Sequence, residues 1–158
     1  MKDTYFSLPP GKQSRQAVMY TLDATGKLVR ASQSPEPAMK YPAPAAGALS
    51  TASDMARFYQ MLLNKGTLNG KRVLSAAVEF SPGLGMGLSF GVVKDVVGTF
   101  RYQSIGTFAK GGAFRTYGWG DPPRDMFGII MLQRTNGGGD TCPEINAFVI
   151  LANAAIGH

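Results

Sequence analysis

The stretch that decides the fold covers residues 110–131 and reads KGGAFRTYGWGDPPRDMFGIIM. It predicts a strand over 113–119 and a second strand over 126–134, because aromatic, β-branched and other apolar residues dominate both. The run Asp-Pro-Pro-Arg-Asp at 121–125 is typical of a tight turn. The stretch therefore predicts an antiparallel hairpin, with a lysine and two glycines at the entrance of its first strand.

Lys110, Gly111 and Gly112 form a candidate binding site at that entrance. Two residues without side chains let a ligand approach the backbone closely. A lysine ammonium can bind a carboxylate or polarise a neighbouring hydroxyl, and the backbone N–H of Ala113 can stabilise an oxyanion in the same cleft. The alternative is a surface lysine before a tight turn, and these residues alone leave both interpretations open.

Five further segments predict extended structure. Residues 17–22 and 27–30 flank an Asp-Ala-Thr-Gly turn, and residues 67–74 centre on an Asn-Gly turn, so each arrangement predicts a hairpin. Residues 83–93 alternate glycine or serine with apolar residues. That alternation predicts one continuous strand, followed by a turn and a partner strand over 96–102.

Two helices are predicted. The first covers 52–65 and begins with a capping-box arrangement, in which Thr51 caps the helix and Asp54 replaces the usual glutamate. The second covers 144–155 and is rich in apolar residues that would pack on the sheet; these are Ile145, Phe148, Val149, Leu151 and Ala152. The other segments are predicted as a proline-rich loop over 31–46 and a short helix over 75–80.

Residues 87–91 read Gly-Leu-Ser-Phe-Gly and match the Gly-x-Ser-x-Gly elbow of α/β-hydrolases. That elbow requires a strand followed by a helix, together with a histidine further along the chain. The predicted strand continues through the motif, and the only histidine is His158, the last residue. The motif is therefore interpreted as part of a glycine-rich strand.

Composition excludes several classes of function. The net charge is +6 over 158 residues, but the basic residues form no run or helical stripe, so no nucleic-acid partner is predicted. No apolar run is long enough to predict a membrane span, and the first ten residues lack the apolar region of a signal peptide. One cysteine, Cys142, and one histidine exclude an intrachain disulfide and a Cys/His zinc site.

Residues 110–113, Lys-Gly-Gly-Ala, resemble the third motif of the serine β-lactamase, penicillin-binding protein and carboxylesterase superfamily, which reads Lys-Thr-Gly or His-Gly-Gly. Residues 46–58 resemble its helix entry, Gly-Gly-Leu-x-Ser-Thr-Ala-x-Asp-Met-Ala-Arg-Phe. Residues 83–93 are similar to its Gly-Leu-Gly-Phe-Gly strand. The resemblance extends along essentially the whole chain and is specific to the class C-like branch, which includes esterases and D-alanyl peptidases.

The resemblance implies an α+β fold, in which an antiparallel sheet is packed with helices, and it implies no cofactor or metal. Lys110 would be the third-motif lysine and Ala113 the backbone oxyanion donor. Gly111, Gly112 and Phe114 would line the substrate site, for a small-molecule ester or β-lactam. Gly111 stands where a β-lactamase has threonine or serine, which favours an esterase-like or peptidase-like relative.

The chain departs from the family pattern at the nucleophile. None of its serines is followed by lysine at the third position, as Ser-x-x-Lys requires, and no tyrosine begins a Tyr-x-Asn motif. The resemblance therefore implies that residues 1–158 are a single partial domain, without the N-terminal half that carries the nucleophile. One sheet edge and one apolar face should then be uncovered, which predicts a homo-oligomer or a complementing N-terminal half.

Two functional hypotheses follow. The chain belongs to a serine hydrolase that forms an acyl-enzyme with a nucleophile supplied from elsewhere, or it is a non-catalytic binding or interaction fragment. Catalysis by these residues alone would need another nucleophile, such as Ser89, Thr107 or Cys142. The compartment in which the protein acts stays open.

Overall fold

The computed structural model describes residues 1–31, 47–75, 86–87, 90–97, 101–135 and 141–156, with 86–87 described by their backbone alone. Apart from their first residues, the predicted loop over 31–46 and the predicted short helix over 75–80 lie outside these ranges. The described strands are β1 (Tyr20–Leu22), β2 (Leu28–Arg30), β3 (Thr67–Leu68), β4 (Lys71–Arg72), β5 (Met86–Gly87), β6 (Phe90–Val92), β7 (Phe108–Gly111), β8 (Thr116–Asp121) and β9 (Met126–Met131). The described helices are α1 (Ala52–Leu63), α2 (Pro143–Ala155) and two 3₁₀ helices, Pro10–Arg15 and Pro122–Arg124.

A five-stranded antiparallel sheet forms the centre of the fold, in the order β5-β6-β7-β8-β9. Two small hairpins, β1-β2 and β3-β4, lie outside this sheet. Helix α1 packs on one face of the sheet and α2 on the other, because each helix shares a core cluster with a different alternating set of strand residues. The predicted α+β class is confirmed.

The core beneath α1 is built around the Tyr59 ring. It lies parallel to the Phe108 ring at a centroid distance of 6.0 Å and meets the Phe90 ring edge-on at 6.0 Å. The ring reaches the sheet because β8 carries glycine there: a Cβ at Gly118 would stand 2.5 Å from the Tyr59 hydroxyl oxygen. Phe108 occupies the corresponding space over Gly120. Glycine therefore creates the depth that these two rings fill.

The core beneath α2 is built around Trp119, which is fully buried. Its six-membered ring lies directly on Gly128 of the neighbouring strand β9. Ile145 and Val149 of α2 are also fully buried in this cluster. Leu151 is 68% exposed, so its predicted packing on the sheet is wrong: it lies two residues past Val149, on the opposite side of the helix.

Several predicted elements are confirmed. The hairpin over 67–74 has its Asn-Gly turn with both residues at positive φ, 49° and 74°, as a type I′ turn requires. The hairpin around the Asp-Ala-Thr-Gly turn forms as β1 and β2. The terminal helix and the β8-β9 hairpin also form, the latter through a 3₁₀ helix at the Pro-Pro turn.

Three predictions need correction. The Lys-Gly-Gly box lies at the end of β7, not at the entrance of the following strand, because the turn to β8 begins only at Gly112. Residues 83–93 are not one strand, since β5 and β6 pair with each other antiparallel. Arg101 and Tyr102 are not in a strand; β6 pairs instead with β7. Glycine at alternate positions therefore marked two short strands rather than one long one.

The start of α1 forms only half of the predicted capping box. The Thr51 hydroxyl accepts a hydrogen bond from the Asp54 N–H at 3.2 Å. The Asp54 carboxylate does not return to Thr51; it accepts bonds from the Lys2 and Asp3 N–H groups at 3.1 and 2.7 Å and from the Thr4 hydroxyl at 2.9 Å. Asp54 therefore connects the first residues to α1.

Gly128→Ala should lower the free energy of unfolding by about 1–3 kcal/mol, the usual cost of overpacking a core. The new methyl group would overlap the buried Trp119 ring, and this strain exceeds the gain of about 0.4–1 kcal/mol from a stiffer unfolded chain. Urea unfolding measures the change. Gly91→Ala is the matched control, because its Cβ would meet only a carbonyl oxygen at 3.8 Å; equal effects of the two substitutions would contradict this account.

Acid should weaken the fold through Asp54. Burial alone would raise the pKa of Asp54, but the bonds from Asp3, Thr4 and Lys2 hold it below the usual value. A carboxyl group with a lowered pKa stabilises the fold above its unfolded pKa of about 3.9, and this contribution disappears as the pH falls through the folded value. Asp54→Asn should be less stable at pH 7 and should lose less stability on acidification. Parallel pH curves of urea unfolding for the two proteins would contradict this.

Candidate functional site

The predicted box lies at the end of a central strand. Lys110 and Gly111 are paired with Gly118 and Tyr117 of β8. Phe108, two residues earlier, packs beneath α1, so the alternation of a strand places Lys110 on that same face. The Lys110 side chain is exposed and, within the described residues, forms no ion pair. Its ammonium is thus available to an anionic group of a ligand.

A tight turn follows the box. The Gly112 N–H donates to the Thr116 carbonyl at 2.8 Å, and the Arg115 N–H donates to the Gly112 carbonyl at 3.1 Å. The Ala113 N–H takes no part in these two bonds, and Ala113 is exposed while Phe114 is half-buried. A side chain at Gly112 would overlap the Thr116 hydroxyl. A larger residue at Gly112 would therefore displace the Thr116 hydroxyl, and the Ala113 N–H lies three residues along the chain from the lysine.

Tyr59 forms the floor beside Lys110 and was not predicted as a site residue. The hydroxyl end of its ring lies over Gly118, the cross-strand neighbour of Lys110. Burial raises the pKa of Tyr59, so the phenol stays protonated and can donate a hydrogen bond. In the sequence Tyr59 belongs to the apolar stripe of a helix; the only further signal was the glycine that faces it across the core.

An ion-pair cluster anchors the turn to α2. Arg115 is 5% exposed and has a positive φ of 66°. Its guanidinium lies 3.0 Å from both carboxylate oxygens of Glu144, whose Oε1 also accepts from Arg134 at 2.9 Å. The backbone N–H of Glu144 and the Cys142 thiol, with Arg115 and Arg134, hold the pKa of Glu144 below its usual value. The cluster ties the ends of β9 and α2 to the turn.

Two of the three alternative nucleophiles, Thr107 and Cys142, do not lie with Lys110. Thr107 is fully buried and, three residues before Lys110, faces the opposite side of the sheet. Cys142 is 2% exposed and belongs to the cluster beneath α2. Ser89 lies outside the described residues. The described residues of the Gly-x-Ser-x-Gly motif belong to two antiparallel strands, Gly87 to β5 and Phe90 and Gly91 to β6, and the strand-to-helix turn of an elbow requires a different arrangement.

The described residues contain no cluster suited to a metal ion. No three histidine, cysteine, aspartate or glutamate side chains come together there as metal ligands. None of the described helices has the length and apolar character needed to cross a bilayer. The candidate site consists of Lys110, the glycines, the turn and the Tyr59 ring beneath them.

Comparison with known proteins identifies the family. The beta-lactamase family model matches residues 1–149, and the chain therefore belongs to the beta-lactamase family. Protein Rv1367c of Mycobacterium tuberculosis is 31% identical over 173 residues, which cover 92% of this chain and 41% of the relative. The chain thus spans less than half the length of this relative.

Two solved structures share the fold. A LovD6 mutant of simvastatin synthase from Aspergillus terreus superimposes with a TM-score of 0.79 at 16% identity, covering 98% of this chain and 45% of that one. EstCE1, a hydrolase with promiscuous acyltransferase activity, superimposes with a TM-score of 0.71 at 16% identity, covering 96% and 46%. The β-lactamase-like fold predicted from the resemblance is confirmed.

Glu144→Ala should lower the free energy of unfolding by about 1–3 kcal/mol, because it removes the carboxylate that accepts two hydrogen bonds from the buried Arg115 guanidinium. The partial exposure of Glu144 places the expected value toward the lower end of this range. Thermal and urea unfolding measure the change. Lys71→Ala, on the exposed β4, should change stability little; a Glu144→Ala protein as stable as this control would contradict the anchoring role.

Proposed function

We propose that the chain forms one wall of the active site of a β-lactamase-family serine hydrolase, which transfers the acyl group of a small ester or amide through an acyl-enzyme. The observation that carries the proposal is the exposed Lys110 at the end of β7, beside a turn that leaves the Ala113 N–H out of its own bonds. A cation and a backbone donor at one site suit the developing oxyanion of acyl transfer.

Each residue of the predicted site has a role in the proposal. The Lys110 ammonium binds a substrate carboxylate or supports the developing negative charge. The Ala113 N–H donates to the oxyanion. Gly111 and Gly112 let the acyl group lie against the backbone, and the half-buried Phe114 contributes apolar contact. Tyr59 adds a protonated phenol below the site.

The proposal requires a serine from elsewhere. None of the serines of the chain begins a Ser-x-x-Lys motif, and the fully buried Thr107 cannot reach a substrate. An acyl-enzyme needs a nucleophile together with a base that accepts its proton. We propose that both come from a polypeptide segment other than these residues, and that they face the Lys110 side of the sheet.

The same observation favours a second candidate, a non-catalytic binding module of this fold. In that case the Lys110 site would hold an acylated or anionic ligand without turning it over. The two candidates share the ligand site and differ only in whether a nucleophile completes it.

The first experiment measures ligand binding by the chain itself. A methyl phosphonate monoester, a stable tetrahedral anion, is titrated into ¹⁵N-labelled protein. We expect saturable shifts of the amide signals of residues 110–114, and weakening of the apparent affinity by roughly tenfold in Lys110→Ala, which corresponds to one lost charge-assisted contact. Lys71→Ala is the control for charge alone. Shifts that are absent from 110–114, or unchanged in Lys110→Ala, would reject both candidates.

A labelling experiment then tests for a nucleophile. The chain is incubated with a fluorophosphonate and, separately, with a penicillin, and its intact mass is recorded. We expect no adduct from the chain alone. A stoichiometric adduct lost in Lys110→Ala would mean that these residues carry their own nucleophile, which would contradict the requirement for a second segment.

A further inference from the structure

Two fully buried polar side chains, those of Thr107 and Asp121, lie next to each other where β7 begins and β8 ends. Phe108 is paired with Gly120, and the Val93 N–H donates to the Thr107 carbonyl at 2.9 Å. The ladder therefore continues one residue beyond β7 and places Thr107 opposite Asp121. Both are 0% exposed. Strand alternation turns both toward α2, on the opposite face of the sheet from the candidate site.

Each of these side chains has one oxygen without a hydrogen-bond partner among the described residues. The Asp121 carboxylate accepts from the Ser104 N–H at 3.0 Å through Oδ2, whereas its Oδ1 has no partner. The Thr107 Oγ1 has none either, although cross-strand neighbours have Cβ atoms only about 4.5–5.5 Å apart. Buried polar groups are almost always hydrogen-bonded, because an unpaired one is costly. The two oxygens therefore call for a group that bridges them.

The loop before β7 adds a buried donor to this pair. Gln103 is 7% exposed, and its Nε2 also has no partner within the described ranges. It directly precedes Ser104, whose N–H bonds to Asp121, and the Ser104 carbonyl accepts from the Thr107 N–H at 3.0 Å. The loop is thus folded closely over the end of the two strands. It brings an amide donor to a carboxylate acceptor and to a hydroxyl, which can donate or accept.

We propose that one internal water molecule is bound between Asp121, Thr107 and Gln103. The water donates to Asp121 Oδ1 and to Thr107 Oγ1, and it accepts from Gln103 Nε2. Three hydrogen bonds are the usual number for a buried water, and these three satisfy every unpaired atom of the cluster. The inference is independent of the proposed function.

The chemistry of the cluster favours water over a metal ion. Calcium takes six to eight oxygen ligands, whereas the three groups present one carboxylate oxygen and one hydroxyl beside an N–H donor, which repels a cation. A polypeptide segment from outside these residues is equally unsuited, because Asp121 and Thr107 are already fully buried within this chain. The bridging group must therefore be small, and it must be able both to donate and to accept.

The water would complete a set of polar contacts that hold the loop at this end of the sheet. Arg124 Nη1 donates to the Tyr102 carbonyl at 2.6 Å and to Asn153 Oδ1 at 2.8 Å, so it connects the loop to α2. The Ser104–Asp121 bond connects the same loop to β8. The water adds a link from the loop to the first residue of the β7 ladder.

Thr107→Val tests the proposal through the melting temperature, because valine has the shape of threonine without its hydroxyl. If Thr107 bound no water, the substitution would remove an unpaired buried oxygen, and the Tm would stay the same or rise. With the water in place, the substitution removes one of the three partners of that water. We then expect the Tm to fall by about 2–4 °C. An unchanged or higher Tm would overturn the proposal.

Nuclear Overhauser measurements between water and the protein amides detect the molecule directly in the complete chain. We expect cross-peaks from water to the Ser104 and Thr107 amides, with the sign of a long-lived bound water. Thr107→Ser keeps the hydroxyl and should keep these cross-peaks, whereas Thr107→Val should lose them. If Thr107→Val does not fold, the cross-peaks of the unaltered chain decide, and their absence at both amides would overturn the proposal.

A crystal structure of the chain grown with rubidium chloride distinguishes water from a monovalent cation. We expect density at hydrogen-bonding distance from Asp121 Oδ1 and Thr107 Oγ1, without anomalous scattering. An anomalous peak at that position would overturn the proposal in favour of a cation, and a direct bond between the two side chains would overturn it as well.

Discussion

The alternation of side chains along β8 is the constraint on which the fold depends. Tyr117 and Trp119 face α2, whereas Gly118 and Gly120 face α1. Tyr117 and Trp119 fill the space beneath α2. The two glycines leave space beneath α1, which the rings of Tyr59 and Phe108 fill. The size of the β8 side chains on each face therefore determines how closely each helix packs on the sheet.

The same alternation shapes the site. Gly118 is paired with Lys110 and lies under the Tyr59 ring. The space that admits this ring into the core therefore also places its phenol over the residue directly across from Lys110. The turn after Gly112 depends on a second contact, between Arg115 and Glu144. Core packing and an ion pair at the other face of the sheet therefore fix the two sides of the candidate site.

Sequence reasoning predicted the elements better than their boundaries. Thr51 and the Asn-Gly turn have local chemistry, a cap and a positive φ, and both formed as predicted. Residues 83–93 have a period of two whether they form one strand or two, so the pattern could not locate the reversal that pairs β5 with β6. The position of the lysine box was missed by a few residues for a similar reason, since apolar residues continue on both sides of its turn.

Candidate site residues could be named from the sequence where a motif marked them, whereas residues that join the candidate site only through tertiary contacts could not. Lys110 and the glycines stood out by residue type, and the structure places them at the end of β7 and the start of the turn that follows it. Tyr59 had no such mark, because a tyrosine in an apolar helix stripe is indistinguishable from any other core aromatic. The destination of the Asp54 carboxylate was equally hidden, since its acceptor role depends on residues about fifty positions away.

That distance has a consequence for the order of assembly. The β3-β4 and β8-β9 hairpins join residues close in sequence, whereas the bonds to Asp54 close a loop of about fifty residues. Long loops lose more chain entropy on closure, and contacts between distant residues tend to form late. The bonds between the first residues and α1 should therefore form later than these two hairpins.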